Sequence, residues 1–522
     1  MKLAFSTFMT LAMLIAWQKP RTVFAAIVGH PPPTDVLFDA QHPADPDQFR
    51  TEGAAIYQLA GRLRIGVSDP GDGAPSAFLL APGGGRWNLE NYRYLEVAVH
   101  NVGRIPANVS VFALVPGGFG GINSYPQHEN GRELLAPGAQ RTIRIDLHQR
   151  FPDNTETIDP RNVSELRIIL NAGVRGTMID VLKVTATGQA PSERHDFAGR
   201  LLIPSVTHGL PGPGKRVHMN LPGSPVPYVL YLPKDWDPDR RFPVIAEYSG
   251  NILYFKNTYS TGKADQGDIG YGMSKGEGAI WVNLPFISQD RRREQLDGFG
   301  NVEATAEYAR KVIREVVLKY SADPGAVFLT GFSRGGAACG FVGLHDAETA
   351  DVWLGFHAVG GGDGAGWFGS EMPGALQRGA LVKGRSSFVT DGGPWQDVLA
   401  RLRQPFIFKD SQIGAHVDTM LLDNRPSTVA CRKWMEDVLR DRPGVHDISG
   451  TVVDSQGAPV RSASVESGYT HLTRTDRDGR FTIRSLVNGP RKVTVHVPGM
   501  YFEARNVTMA GKDLTGLEFK AR

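Results

Sequence analysis

A serine hydroxyl attacks a carbonyl only where the chain exposes it and a base can take its proton. Gly331-Phe332-Ser333-Arg334-Gly335-Gly336 is built for the first requirement. It closes the apolar run Ala326-Val327-Phe328-Leu329-Thr330 and opens into a small-residue helical pattern, Ala337-Ala338-Cys339-Gly340-Phe341. Strand, Gly-x-Ser-x-Gly, then helix is the order of a nucleophile elbow, a turn that needs glycine two residues before and two after the serine. Such a turn lifts the Ser333 hydroxyl above the sheet edge and aims the N-terminus of the next helix at the reaction centre. The bare pattern is weak. With 61 glycines in 522 residues, roughly 0.4 matches arise by chance, so context decides. A second match, Gly272-Met273-Ser274-Lys275-Gly276, follows the glycine-broken Asp268-Ile269-Gly270-Tyr271 and precedes the strand candidate at 279–284. Ser274 is therefore expected in a loop that enters a strand.

The elements that must position Ser333 span residues 217–443. Apolar strand candidates at 228–232, 244–248, 279–284, 326–329, 353–358, 387–390 and 406–408 alternate with helical patterns, which predicts a mostly parallel α/β sheet. The spacing of Val302, Ala306, Ala309, Val312, Ile313, Val316, Val317 and Tyr320 predicts a helix over 302–320 with one buried face. This segment resembles secreted α/β-hydrolases of the esterase and polyester-depolymerase kind. The residues that carry the likeness are Glu247-Tyr248-Ser249-Gly250-Asn251 at a strand end, Gly331 to Gly336, and His416 with the helix behind it.

The resemblance implies ester hydrolysis through an acyl-enzyme, with the triad in chain order Ser, Asp/Glu, His. His416, on the loop between the last strand and the last helix, is the expected base. Asp391, directly after 387–390 and before Gly392-Gly393-Pro394, is the expected acid, with Asp363, Asp397 and Asp418 as rivals. Two backbone donors should hold the oxyanion: the Arg334 amide, and an amide of the Gly250-Asn251 turn. The chain lacks the His-Gly oxyanion loop usual in lipases, and its N-terminal part is too short for the β-propeller of peptidases with this fold. Asp290-Arg291-Arg292-Arg293-Glu294 reads as a solvated loop.

Two β-rich segments flank this one, so the expected fold class is multidomain: a jelly-roll β-sandwich, an α/β-hydrolase and a small C-terminal β-sandwich. Residues 33–190 show short alternating strands between Gly/Pro/Asn turns. They resemble jelly-roll, carbohydrate-binding-like modules attached to polysaccharide-degrading enzymes, on Trp87-Asn88-Leu89-Glu90-Asn91-Tyr92-Arg93-Tyr94-Leu95-Glu96-Val97, Leu135-Ala136-Pro137-Gly138 and Asp180-Val181-Leu182-Lys183-Val184. Trp87 and Tyr92 suit either a core or a sugar platform, and the core is the commoner fate. Residues 446–522, with Gly450-Thr451-Val452, Gly457-Ala458-Pro459 and Thr475-Asp476-Arg477-Asp478-Gly479-Arg480-Phe481, resemble the carboxypeptidase regulatory-like domain, a seven-stranded transthyretin-like sandwich without peptidase chemistry. Asp476 to Gly479 reads as a turn rather than a calcium loop.

The 57 basic and 54 acidic residues nearly cancel, which argues against a nucleic-acid partner. Lys2, the apolar stretch 3–17 and Val23-Phe24-Ala25-Ala26 resemble a signal peptide over 1–26, so the chain is expected to be secreted, with no membrane span in the mature form. Cys339 and Cys431 are expected as buried free thiols, and no Cys/His spacing suggests zinc. No cofactor is expected. The expected function is hydrolysis of carboxylic esters, with a decorated polysaccharide as the candidate substrate. A polyester or peptide hydrolase and an inactive surface-binding protein are the alternatives, and the oligomeric state stays open.

Overall fold

The computed structural model describes residues 34–522 apart from 43–44, 69–74, 117–120, 124–133, 172, 193–199 and 256–257. The signal peptide expected over 1–26 lies outside the described residues. β-Structure predominates, in two sandwiches and one large mixed sheet.

The N-terminal sandwich is antiparallel throughout. One sheet runs Ala54–Leu59, Arg62–Val67, Met178–Gln189, Tyr92–Asn101, Gln140–Asp146, with Thr34–Asp39 also paired to Met178–Gln189. The other runs Phe49–Glu52, Ser76–Leu80, Glu165–Asn171, Asn108–Leu114, Gly121–Asn123. Alternation sends Ala77, Leu79, Val111, Ala113, Leu166 and Ile168 inward. Trp87 belongs to this core, and half-buried Tyr92 packs against it.

The same alternation points Phe112, Leu114 and Ile169 out of the sandwich, where they bury Tyr259 from the hairpin Leu253–Phe255 and Thr258–Ser260. Arg167, 1% exposed, donates to Tyr259 Oη (3.0 Å), Ser76 Oγ (3.0 Å) and Glu52 (3.3 Å), and Lys263 Nζ reaches Glu52 at 2.8 Å. The insertion after Asn251 thus reaches back to clamp the sandwich.

Residues 206–409 supply nine strands. In spatial order they are Val206–Thr207, Arg216–Asn220, Pro227–Tyr231, Ile280–Leu284, Phe242–Tyr248, Ala322–Phe332, Gly355–Val359, Ser387–Thr390 and Phe406–Lys409. Pro227–Tyr231 pairs antiparallel on both sides; the other pairs are parallel. Each face has its own core because successive side chains alternate. Val244, Ala246, Val327 and Leu329 meet the helix Val302–Lys319 on one face. Ile245 and Phe328 meet Ile269–Ser274 and Pro426–Asp441 on the other. Asn301 caps Val302–Lys319 by accepting from the Ala304 amide at 2.9 Å.

One expectation needs correcting here. Ser274 ends a short helix, Ile269–Ser274, rather than lying in a loop, and its hydroxyl donates to Gly270 O at 2.9 Å. Glycine-rich sequence gives that helix little propensity. Buried Glu247 supplies the stability instead, accepting from the amides of Asp268, Ile269 and Gly270 (2.9, 3.1 and 2.8 Å) and from Trp281 Nε1 (2.7 Å).

The C-terminal sandwich has seven strands in sheets of three and four. Asp476 to Gly479 is a turn: Asp476 accepts from the Asp478 and Arg480 amides, and Gly479 takes φ +70°. Arg491 pairs with Asp351, Arg314 with Glu466 at 3.3 Å, and Arg442 donates to Ser485 Oγ at 2.7 Å, docking this sandwich on the large sheet's domain. Cys339 and Cys431 are free, buried and on opposite faces of the large sheet. Among the described residues no helix is long and apolar enough to cross a membrane.

Removing the buried Arg167 clamp should therefore matter more than removing an exposed ion pair. Arg167→Ala is expected to lower stability by about 2–3 kcal/mol. Arg240→Ala, whose pair with Asp235 at 3.4 Å is exposed, should stay within about 0.5 kcal/mol. Thermal melting of the two variants checks this, and equal melting points would refute a fixed sandwich.

Candidate active site

Ser333 sits where the strand Ala322–Phe332 gives way to the helix Arg334–Phe341, with φ +53° and ψ −110°. A non-glycine residue is rarely held there, and such strain persists only when the surroundings fix it. They do so by close backbone contact. A Cβ at Gly335 would lie 1.8 Å from Tyr248 O, one at Gly331 2.4 Å from Gly335 C, and one at Gly361 2.1 Å from Ser333 O. The Ser333 amide donates to Val359 O at 2.8 Å, tying the turn to the neighbouring strand.

His416 Nε2 lies 2.9 Å from Ser333 Oγ. The imidazole packs on the Phe332 ring (centroids 4.6 Å apart) and over Gly360, where a Cβ would come within 3.4 Å of Nδ1. Its edge is exposed, yet the protein around it removes enough water to lower its pKa below the ordinary value, with the Asp391 charge pulling the other way.

Of the four candidate acids, Asp391 is the one whose charge acts on His416. It does not close a hydrogen-bonded relay. Its carboxylate accepts from the Ser411 amide (2.6 Å) and hydroxyl (2.8 Å), and among the described residues no hydrogen bond joins it to His416. Burial raises the Asp391 pKa, and the Ser411 bonds partly offset that. Asp363 is held elsewhere by a bidentate pair with Arg378 (2.7 and 2.8 Å). Asp397 lies on the helix Pro394–Arg401. Asp418 is buried, and its charge helps raise the pKa of Asp268.

The Arg334 amide stands in the first turn of its helix, where no intrahelical acceptor exists, and is available to an oxyanion. The Gly250 and Asn251 amides donate to no protein group among the described residues, whereas Ile252 N is spent on Leu296 O at 2.9 Å. Gly250 O accepts from the Arg334 guanidinium at 2.8 Å. A trans peptide sets C=O and N–H in opposite directions, so the Asn251 amide faces away from that guanidinium.

The Arg334 side chain is the residue that sequence reasoning missed. Fully buried, it donates to Gln295 O (3.0 Å), Gly298 O (2.9 Å), Gly250 O (2.8 Å) and Gly262 O (2.8 Å) and stacks 4.0 Å from the centre of Phe286. Burial lowers its pKa to about 9, which still leaves it charged at neutral pH. One guanidinium thus joins three loops around Ser333. The motif marked position 334 for its amide, and nothing in the pattern marked the side chain. Ser411, which captures Asp391, carried no sequence signal either.

Residues 447–522 match the family model of the carboxypeptidase regulatory-like domain. No curated protein matches the chain. Among solved structures, the N-terminal part is similar to a mutant of a family 29 carbohydrate-binding module, at 13% identity over 32% of this chain and 99% of that one, with a TM-score of 0.20. It is similar also to the family 11 carbohydrate-binding module of a cellulosomal cellulase of Clostridium thermocellum, at 14% identity over 31% and 98%, with a TM-score of 0.22. The strand pairing given above defines the sandwich independently of these.

Arg334→Met keeps the bulk and removes every donor, stranding four carbonyls. A loss of about 3–5 kcal/mol is expected, read as a fall in melting temperature. Arg334→Lys should not restore it, since one ammonium cannot span four acceptors. A Met variant as stable as the parent would remove Arg334 from this role.

Proposed function

We propose that the nine-stranded segment is an α/β-hydrolase domain and that the protein is a serine hydrolase of carboxylic esters. The observation that carries the reading is the 2.9 Å approach of His416 Nε2 to Ser333 Oγ at a strained strand-to-helix turn. In the reaction, His416 takes the Ser333 proton as Oγ attacks the ester carbon. The oxyanion accepts from the Arg334 amide and from an amide of the Gly250-Asn251 turn. His416 then gives the proton to the departing alcohol, leaving an acyl group on Ser333, and water repeats the sequence in reverse. Asp391 favours the imidazolium through its charge.

A decorated polysaccharide is the proposed bearer of the ester, because a jelly-roll sandwich of the kind attached to polysaccharide-degrading enzymes is clamped to the domain. Tyr259 covers part of the outward sheet face, and beside it Arg50, Glu52, Phe78 and Glu165 of the same face line an open cavity that a glycan could enter. The export expected from residues 1–26 would suit a substrate of that size.

Ser333→Ala is expected to lower the rate on p-nitrophenyl acetate by about 10³-fold or more; retained turnover would refute the assignment. The pH profile gives a second check. The base must be neutral, and burial holds the His416 pKa below 6.5, so kcat/KM should fall as pH drops through a midpoint under that value. Asp391→Asn removes the one charge that opposes the shift. Its acid limb should move to still lower pH while the plateau drops at least about tenfold. A limb that stays or moves upward would take Asp391 out of the site.

A further inference from the structure

The loop after the strand Gly355–Val359 starts at the catalytic pair. Gly360 packs on His416, Gly361 on Ser333, and seven residues later the loop presents Phe368. The Phe368 ring lies against Gly298, where a Cβ would come within 2.9 Å of Cδ1. Gly298 in turn gives its amide to Asn251 Oδ1 (3.0 Å) and takes an Arg334 bond on its carbonyl (2.9 Å). Phe368 therefore stands beside the turn that supplies the second oxyanion donor, on a loop rooted at the nucleophile.

Phe368 is an uneconomical residue for packing alone. It is 55% exposed and holds φ +52°, a region penalised for a bulky side chain. The same loop meets positive φ with glycine at 360, 364, 366 and 369. The ring stands edge-on to Trp367 (5.5 Å, 86°) and to Phe299 (6.4 Å, 87°), which stack on each other at 5.4 Å and 8°. Backbone strain that displays an exposed aromatic beside the Gly250-Asn251 turn is a pattern of ligand clamps.

We propose that Phe368, backed by Phe299 and Trp367, is the specificity surface for an aromatic acyl group, a benzoyl- or cinnamoyl-type ring carried on the ester carbon; this rests on the esterase reading. An aryl ring suits the surface better than a sugar. Phenylalanine has no polar handle, and three polar atoms near it are already engaged: Asn251 Oδ1 with Gly298 N, Gln295 Nε2 with Asp297 O (2.8 Å), and Ser370 Oγ with Trp367 O (2.9 Å).

The test compares p-nitrophenyl cinnamate with p-nitrophenyl acetate, which share a leaving group, on the full chain and on Phe368→Gly and Phe368→Leu. The cinnamate-to-acetate ratio of kcat/KM is expected to fall about tenfold in Phe368→Gly and less in Phe368→Leu. The melting temperature of Phe368→Gly should equal or exceed the parent's, since glycine relieves the backbone. An unchanged ratio, a proportional fall on both esters, or a melting temperature lowered by more than about 5 °C would each overturn the proposal. Competitive inhibition by a neutral pyranoside that Phe368→Gly abolishes, with the ratio unchanged, would give the surface to a sugar instead. A fluorophosphonate probe separates the two levels. A parent labelled at Ser333 that turns over acetate but not cinnamate keeps the esterase and ends the aromatic assignment, whereas a parent that is neither labelled nor active ends both.

Discussion

The close approach of Gly335 to the carbonyl of Tyr248 governs this molecule. A 1.8 Å clash awaits any Cβ there, so the helix Arg334–Phe341 can start only where glycine lets it press on the strand Phe242–Tyr248. That contact fixes Ser333 at φ +53°, and the contact of Gly361 with Ser333 O fixes the next loop. The strain of such a residue costs on the order of 1–3 kcal/mol. Two buried cores, one on each face of the sheet, supply the stability that holds it.

Two buried hydrogen-bonding side chains do the second part of the organising. Arg334 and Glu247 are both buried, one donating to four carbonyls and the other accepting from three amides and an indole. Buried polar groups of this kind are weak contributors to net stability, but losing one partner is costly, and burial raises the Glu247 pKa. What they provide is a fixed position for irregular backbone. The loops at 250, 262, 295 and 298 have little hydrophobic reason to stay where they are, and a single guanidinium holds them together. Side-chain bonds such as Gly298 N to Asn251 Oδ1 and Gln295 Nε2 to Asp297 O add to that hold.

Much of this was legible because it follows from local chemistry. The elbow announces itself through glycine spacing after an apolar strand, and His416 through its place between a strand and a helix. The 302–320 helix was legible through its 3.6-residue period, and the turn at Asp476 through its Asp-Gly pair. What stayed hidden depends on tertiary contact. Ser411 takes the carboxylate of Asp391, 20 residues earlier in the chain, and no local pattern reports that. Glu247 builds a helix out of Ile269 to Ser274 against its composition. Tyr259 covers part of the sandwich face that alternation alone would leave open, and Val206–Thr207, too short to read as a strand, joins the sheet inside a Pro/Gly-rich stretch.

The most direct measurement is the mass of the protein while it is exposed to an ester. The full chain is mixed with p-nitrophenyl acetate at mildly acidic pH, quenched within the burst, and digested for peptide mass analysis. One acetyl group on Ser333, absent after hydrolysis runs to completion, is the expected result. Turnover with no acyl group on Ser333, or an acyl group on Ser274 or another residue instead, would contradict the assignment of the elbow serine as nucleophile.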